Sequence, residues 1–257
     1  MNKSENIIKK IRIFSGTGAS LSGSSAKVIQ ELTLSVHLHG KPLANIACAG
    51  IHLKELTLGF LRSEKIIARS NDIKNIKIAK NIANVILKNK KDPPPLAVKN
   101  IASSGARGKT NIELLMPLIV PADFNIRTKT VLKLMDGLLN GSVVHNQTGG
   151  THCSALAIGR KIVALREDIG RHNTIDMLGG YSLLKNINLS GAAILTTGRI
   201  SSEIVYKVWN MGIPVIISHS APTANAVKLS SEANITLIGY VRGGKINIYS
   251  HERRVII

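Results

Sequence analysis

Four short segments of the chain place glycines beside side chains that can bind an anion or exchange a proton. In the first, residues 148–152, two glycines precede His152. Glycine lets the backbone approach a ligand closely, and a neutral imidazole offers both a donor and an acceptor. The segment indicates a ligand-binding loop, although an ordinary turn with an exposed histidine explains it equally well.

The second segment, residues 166–176, is dense in polar side chains where a predicted strand meets a predicted helix. Ligands of α/β proteins bind at such strand ends, which makes His172 a candidate binding residue. His172 and Asp176 lie four residues apart on one helix face, so the carboxylate can fix the tautomer of the imidazole. The alternative is structural, with Asp168 or Asn173 capping the helix.

The third segment, residues 196–203, joins a strand to a helix through Gly198, Arg199 and hydroxyl residues. Backbone N–H groups at the helix start, together with the guanidinium, would form a seat for an anion. The spacing differs from that of a P-loop, and the lysine of that motif is missing. A capped helix with an exposed arginine is the competing interpretation.

The fourth segment, residues 240–245, carries Arg242 and Lys245 on either side of two glycines, with Tyr240 nearby. A tight hairpin turn fully explains the glycines. The two cations are therefore either surface charges or contacts to phosphate.

The spacing of apolar residues predicts the elements that position these segments. Alternation predicts a strand at residues 32–38 and extended structure at 73–87, while three- and four-residue spacing predicts helices at 52–67 and 127–139. In the C-terminal half, strands alternate with helices. The predicted strands there are 155–158, 162–165, 192–196, 215–218, 236–241 and 246–249, and the predicted helices are 173–184, 202–211 and 223–232. This alternation predicts an α/β layer architecture, and the prolines at 93–95 are the best linker candidate.

The charge balance favours anionic partners. The 257 residues include 34 Lys and Arg against 15 Asp and Glu, a formal net charge of +19. Aromatic residues are only 3% of the chain, and neither a zinc-finger spacing nor a helix-turn-helix is evident, so nucleic acid is not the expected partner. A phosphate-rich cofactor or an acidic protein fits better, beside the alternative of a generally solvated surface.

Cysteine usage indicates a reducing compartment, because Cys48 and Cys153 are the only two thiols. They cannot supply a four-thiolate metal site, and we expect no metal site in the chain. Neither a signal peptide nor a membrane span is predicted. We therefore expect a cytoplasmic protein.

Taken in order, these segments resemble the formate dehydrogenase accessory sulfurtransferase family over most of the chain. Residues 59–67 look like its early helix motif, although Lys65 stands where a glycine is usual. The matching segments further along are 148–152, 167–176, 218–223 and the Arg242-Gly243 hairpin.

The resemblance implies a fold similar to that of cytidine deaminases, with a smaller N-terminal β-containing domain. It implies domains at 1–110, with a carrier-type loop, and at 111–257, which binds cofactor. It also implies a homodimer that binds the molybdenum cofactor in its bis(molybdopterin guanine dinucleotide) form. GDP or GTP is a fragment of that cofactor. The implied partners are a cysteine desulfurase and formate dehydrogenase. The expected cofactor-binding residues are His152, Arg171, His172, Gly198, Arg199, Tyr240, Val241, Arg242, Gly243, Gly244 and Lys245.

One departure from the family concerns sulfur. The family's Cys-x-x-Cys precedes Gly-Lys-Thr, which is preserved at residues 108–110, but Ser104 and Arg107 occupy the cysteine positions. A serine hydroxyl cannot carry a persulfide. The leading hypothesis is thus an accessory protein that binds the cofactor, with or without the transferase step. In the alternative, the chain is still an active sulfurtransferase and its carrier thiol has moved to Cys153. A nearby His152 or Arg171 would lower the pKa of Cys153, whereas an apolar setting should raise the pKa of Cys48.

Two other function classes are compared with these. A zinc deaminase needs a His-x-Glu and a Pro-Cys-x-x-Cys, and the chain has neither. A nucleic-acid or nucleotide-binding module without sulfurtransferase activity stays open, and retention of duplex DNA with a steep salt dependence would favour it.

Overall fold

The structure, a computed structural model, describes residues 7–89, 99–101 and 124–257. The chain begins with an antiparallel hairpin of β1 (Ile8–Thr17) and β2 (Ser20–Ile29). A five-stranded sheet follows, made of β3 (Leu32–Leu38), β4 (Lys41–Cys48), β5 (Ile73–Ala79), β6 (Ile82–Leu87) and β7 (Lys99–Ile101) in the order β5-β6-β3-β4-β7. Helix α1 (Leu53–Ser63) packs on this sheet, because its apolar face joins the cluster that the strands bury.

The C-terminal part is built on a six-stranded sheet. Its strands are β9 (His152–Ile158), β10 (Lys161–Asp168), β11 (Ala192–Thr196), β12 (Val215–Ser218), β13 (Thr236–Arg242) and β14 (Lys245–Ser250), in the order β10-β9-β11-β12-β13-β14. Strands β11, β12 and β13 are parallel, and the pairs β10–β9, β9–β11 and β13–β14 are antiparallel. A short parallel pair, β8 (Ile126–Arg127) with β15 (Val255–Ile256), lies beside it.

Helices cover both faces of the six-stranded sheet. The helices of this part are α2 (Thr128–Gly141), α3 (Val143–Thr148), α4 (Arg171–Leu184), α5 (Ser202–Asn210) and α6 (Ala224–Glu232). Ile194 on β11 packs with α4, α5 and α6, whereas its neighbour Leu195 packs with α2. Successive strand residues face opposite sides, so a strand that is apolar at every position is buried between two layers of helices.

The predicted mixed α/β class is confirmed, and the predicted strands 192–196 and 215–218 have the observed limits of β11 and β12. The sequence analysis did not predict the β1–β2 hairpin or α3, because serines and glycines interrupt the hairpin and α3 has only six residues. The boundary between residues 110 and 111 and the prolines at 93–95 lie outside the described residues.

Helices α1 and α4 cross with their backbones in contact. A methyl group added to Gly59 would lie 1.7 Å from the carbonyl oxygen of Asp176, and one added to Gly180 would lie 1.9 Å from that of Glu55. The same crossing carries a buried charge pair, since Asp176 accepts from Lys207 of α5 and, at 2.6 Å, from the hydroxyl of Ser63. The two glycines therefore set how closely the N-terminal sheet approaches the C-terminal one.

The end of α1 explains the unusual residue of the helix motif. Lys65 has a φ of 57°, in the left-handed region where glycine is strain-free. Its backbone N–H still bonds the carbonyl of Arg62 at 2.9 Å. Lys65 thus keeps the turn at a conformational cost that a glycine would not have.

Among the described residues, no helix is long and apolar enough to cross a membrane.

We predict that Gly59→Ala lowers the free energy of unfolding by about 1–3 kcal/mol or more, because the added methyl group must push α1 and α4 apart. Urea unfolding followed by circular dichroism measures the change. Gly191→Ala is the matched control, since a methyl group there meets nothing within 4 Å. Equal unfolding midpoints for the two variants would contradict the role given to the crossing.

Candidate functional site

Three of the four segments meet at one edge of the six-stranded sheet. The pairings of Asp168 with His152, and of Thr196 with Ser154 and Ser218, bring the start of β9 beside the ends of β10, β11 and β12. The loops are bonded to one another, because Thr197 N–H donates to the Cys153 carbonyl at 2.9 Å. His219 N–H in turn donates to the Thr196 carbonyl at 3.0 Å. The edge is the position where α/β sheets bind ligands.

Gly198 lets Arg171 and His152 come together at this edge. A methyl group on Gly198 would lie 3.1 Å from Cβ of Arg171 and 3.5 Å from Nδ1 of His152. Burial and then the positive charge of Arg199 lower the pKa of the Arg171 guanidinium, while Glu203 opposes the shift. Two arginines thus lie close enough to repel each other, an arrangement that an anion would stabilise.

Arg171 has an unused donor at this point. Its Nε is buried and has no hydrogen-bond partner within the described residues. Arg171 and Ser202 are also the first residues of α4 and α5, and neither helix has a side-chain cap on its first N–H groups. A phosphate or another compact anion would satisfy these donors.

Beside the arginines, three histidines line a cavity of about 390 Å³. They are His145, His152 and His219, and the hydroxyl of Thr151 in the same wall is buried without a partner among the described residues. Burial, Arg171 and His145 lower the pKa of His152, so its imidazole is neutral near pH 7 and both donates and accepts. Sequence reasoning missed His145 and Thr151, although the seven-residue spacing of His145 and His152 was visible.

The described part of the chain contains no group of three or more His, Cys, Asp or Glu side chains arranged to hold a metal ion.

The second segment is arranged differently from the prediction. His172 is buried, and its Nε2 lies 3.5 Å from a carboxylate oxygen of Glu203, while Asp176 bonds Ser63 and Lys207. The carboxylate placed at the imidazole edge therefore comes from the next helix. Glu203 is a site residue that the sequence analysis did not single out.

Neither Asp168 nor Asn173 caps α4, since the helix begins after Gly170. Asp168 is fully buried and accepts from the backbone N–H of Ala49 at 2.8 Å and of Gly170 at 3.0 Å, and from Asn173 at 2.7 Å. Asn173 also donates to the carbonyl of Ala47 at 2.7 Å. Both residues therefore join the end of β4 to the site edge.

The fourth segment forms the turn between β13 and β14, next to the same edge. Tyr240 N–H donates to the carbonyl of Ser220 at 3.0 Å, one residue beyond His219. Tyr240 has a φ of 56° at a bulge in the β13–β14 pairing, and the Arg242 guanidinium lies 3.6 Å from the centre of its ring. Val241 is buried, and Gly243, Gly244 and Lys245 are exposed. The turn presents a flat cationic and aromatic surface beside the histidine cavity.

The surroundings of Cys153 do not support the alternative in which this thiol is activated. Burial raises the pKa of this thiol to about 12, and the charge of Glu167 adds to the rise. Cys153 follows His152 in β9, so its side chain faces the opposite side of the sheet, in the apolar cluster under α2. The expectation for Cys48 is confirmed, because burial raises its pKa to about 12. Ser104 and Arg107 lie outside the described residues.

Comparison with known proteins decides the family. The model of the FdhD/NarQ family matches residues 29–256. This chain belongs to that family. It is 36% identical to "Sulfur carrier protein FdhD" of Staphylococcus haemolyticus over 88% of this chain and 89% of the relative. It is 32% identical to the protein of the same name from Bacillus subtilis, over 89% and 90%.

Comparison with a solved structure supports the fold. The crystal structure of a putative formate dehydrogenase accessory protein from Desulfotalea psychrophila superposes with a TM-score of 0.85 and 21% identity, over 97% of this chain and 100% of the other. The two proteins therefore share one fold over nearly all of the chain.

We predict that Asp168 makes stability fall as pH rises from about 4 to about 6. Burial raises its pKa from 3.8 to about 6, so in this window the folded protein holds a proton that the unfolded chain has released. Relative to Asp168→Asn, which cannot titrate, the unmutated protein should lose on the order of 1 kcal/mol or more of unfolding free energy across the window. Urea unfolding at several pH values measures it.

Asp136→Asn, at an exposed carboxylate of α2, is the control for the general effect of removing an acid. Its stability difference from the unmutated protein should not follow the curve of the Asp168 variant. Parallel pH curves for the two variants would refute the prediction.

Proposed function

We propose that this chain is a formate dehydrogenase accessory protein that binds the molybdenum cofactor as Mo-bis(molybdopterin guanine dinucleotide) and supports its sulfuration. The observation that carries the proposal is the pairing of Arg171 with Arg199 beside a buried, unsatisfied guanidinium nitrogen. A bound anion would reduce the repulsion between the two guanidinium groups, and the cofactor is rich in phosphate. Family membership links the chain to relatives named as sulfur carriers.

The residues at the sheet edge fit parts of this cofactor. Arg171, Arg199 and the first N–H groups of α4 and α5 would hold phosphate, with Gly198 leaving room for close approach. The Tyr240 ring and Arg242 guanidinium offer a surface on which a guanine base can stack. Neutral His152 and the hydroxyl of Thr151 supply hydrogen bonds to uncharged groups. When bound, the cofactor would bring the molybdenum atom that receives sulfur.

The chain's own thiols are poorly suited to the sulfur-transfer step. Both Cys48 and Cys153 are fully buried, and burial raises the pKa of each to about 12, so neither is a thiolate near pH 7. This observation favours binding of the nucleotide cofactor without persulfide transfer by this chain as a second candidate function. In both versions we propose a cytoplasmic homodimer that meets a cysteine desulfurase and formate dehydrogenase.

We predict that GDP, as a fragment of the cofactor, binds the protein and that Arg242→Ala weakens binding about ten- to hundredfold, through loss of one charge-assisted contact. Arg171→Ala should weaken it at least as much. Isothermal titration calorimetry measures the dissociation constants. Arg253→Ala, at an exposed arginine of the same C-terminal part, is the control with the same loss of charge.

The control should bind GDP within about twofold of the unmutated protein, because a distant exposed charge acts only through a screened field. Absence of GDP binding by the unmutated protein, or equal weakening by all three substitutions, would count against the assigned site. Displacement of GDP by duplex DNA at equal concentration would favour the nucleic-acid alternative.

We predict further that incubation with a cysteine desulfurase and labelled cysteine leaves no stable sulfur on this protein. Neither thiol reaches solvent as a thiolate. Mass spectrometry of the unmutated, Cys48→Ser and Cys153→Ser proteins maps any label. Label lost only with Cys153 would establish relocation of the carrier and contradict the binding-only function, and label lost only with Cys48 would assign the carrier role to that thiol.

A further inference from the structure

A second cavity, lined by lysines and arginines, lies at the opposite edge of the six-stranded sheet. It measures about 750 Å³ and lies between the start of α2 and the β9–β10 turn. His152 begins β9 and Ile158 ends it, so the cavity is separated from the histidine cavity by the length of the strand, about 20 Å. The two cavities share no lining residue.

Five cations from two elements converge on this cavity. Arg127, Lys129 and Lys133 come from the start of α2, and Arg160 and Lys161 come from the β9–β10 turn. All five side chains are exposed, and among the described residues none of these side chains forms a hydrogen bond or ion pair. The described lining contains no acidic side chain.

This clustering has an electrostatic cost in the isolated protein. Like charges in a concave, partly apolar site repel one another and focus the positive potential. Half-buried Phe124 and buried Ile126 give the cavity an apolar floor, which strengthens the field above it. An anionic partner would reduce this repulsion.

The volume and the exposure of the cations indicate what kind of partner fits. A cavity of this size accepts a drug-sized molecule or a few residues of peptide. A single phosphate is best held by converging, buried donors, as at Arg171. Here the cations are exposed and spread over two elements, a pattern that matches several carboxylates spaced along an extended chain.

We infer that this basic cavity docks a short acidic segment of a partner protein. Carboxylates of the segment would pair with the α2 cations on one side and with the β9–β10 cations on the other, while an apolar side chain of the segment contacts Phe124. The inference goes beyond the proposed function, since it concerns a surface that takes no part in holding the cofactor.

The test uses fluorescence anisotropy with a labelled hexaglutamate peptide as the probe and the full chain as the receptor. The cleft variant carries Lys129→Gln, Lys133→Gln and Arg160→Gln. The control variant carries Lys54→Gln, Lys74→Gln and Lys77→Gln, which are exposed cations of the N-terminal part without a contact in the described chain. Both variants lose the same charge, so the comparison separates a local site from the general field of a +19 protein.

We expect the cleft variant to bind the peptide roughly tenfold or more weakly than the unmutated protein, and the control variant to bind within about threefold. Equal weakening of both variants, or absence of peptide binding, overturns the inference. Displacement of the peptide by an equimolar amount of pyrophosphate also overturns it, because the cavity would then be a site for a small phosphate compound.

GDP titration of the same cleft variant keeps this test separate from that of the proposed function. GDP should bind the cleft variant as it binds the unmutated protein. Loss of GDP affinity in the cleft variant would mean that the cavity belongs to the nucleotide site, which contradicts a separate docking surface.

Discussion

The contact between the backbones of α1 and α4 is the constraint on which the rest of the structure depends. Only glycine fits at residues 59 and 180, and the resulting crossing brings Ser63 and Asp176 within 2.6 Å of each other. Lys207 of α5 completes a buried charge pair, whose partners would be costly to leave alone in an apolar interior. Three helices are thereby fixed, and two of them, α4 and α5, begin at the candidate site.

The positive character of the site follows from where the nearby acids point. Glu167 and Asp168 end β10 within a few residues of Arg171, yet both carboxylates bond backbone N–H groups. Glu167 accepts from Val144 and His145 at the start of α3, and Asp168 accepts from Ala49 and Gly170. These acids hold the architecture together and are not free to balance the arginines. Of the acids named at this edge, only Glu203 acts on Arg171. The site therefore retains a net attraction for anions.

Much of the C-terminal architecture could be predicted from sequence, because its strands are apolar runs between clear helix periods, as in β11 and β12. The hydrogen bond between Asp168 and Ala49 could not be predicted, because it joins residues 119 positions apart and no local pattern encodes it. The setting of Cys153 could not be predicted for a different reason. His152 beside it and Arg171 further along the chain suggested a positive environment, but alternation in β9 directs the thiol to the other face of the sheet.

The proposed cofactor binding and any sulfur carriage would depend on different residues of this chain. The donors at the sheet edge are positioned by the α1–α4 crossing and by the ends of β9, β11 and β12, and none of them is a thiol. The two cysteines of the chain, Cys48 and Cys153, are both buried, whereas a persulfide forms on a reactive thiolate. The donors proposed to bind the cofactor therefore do not depend on the presence of a carrier thiol.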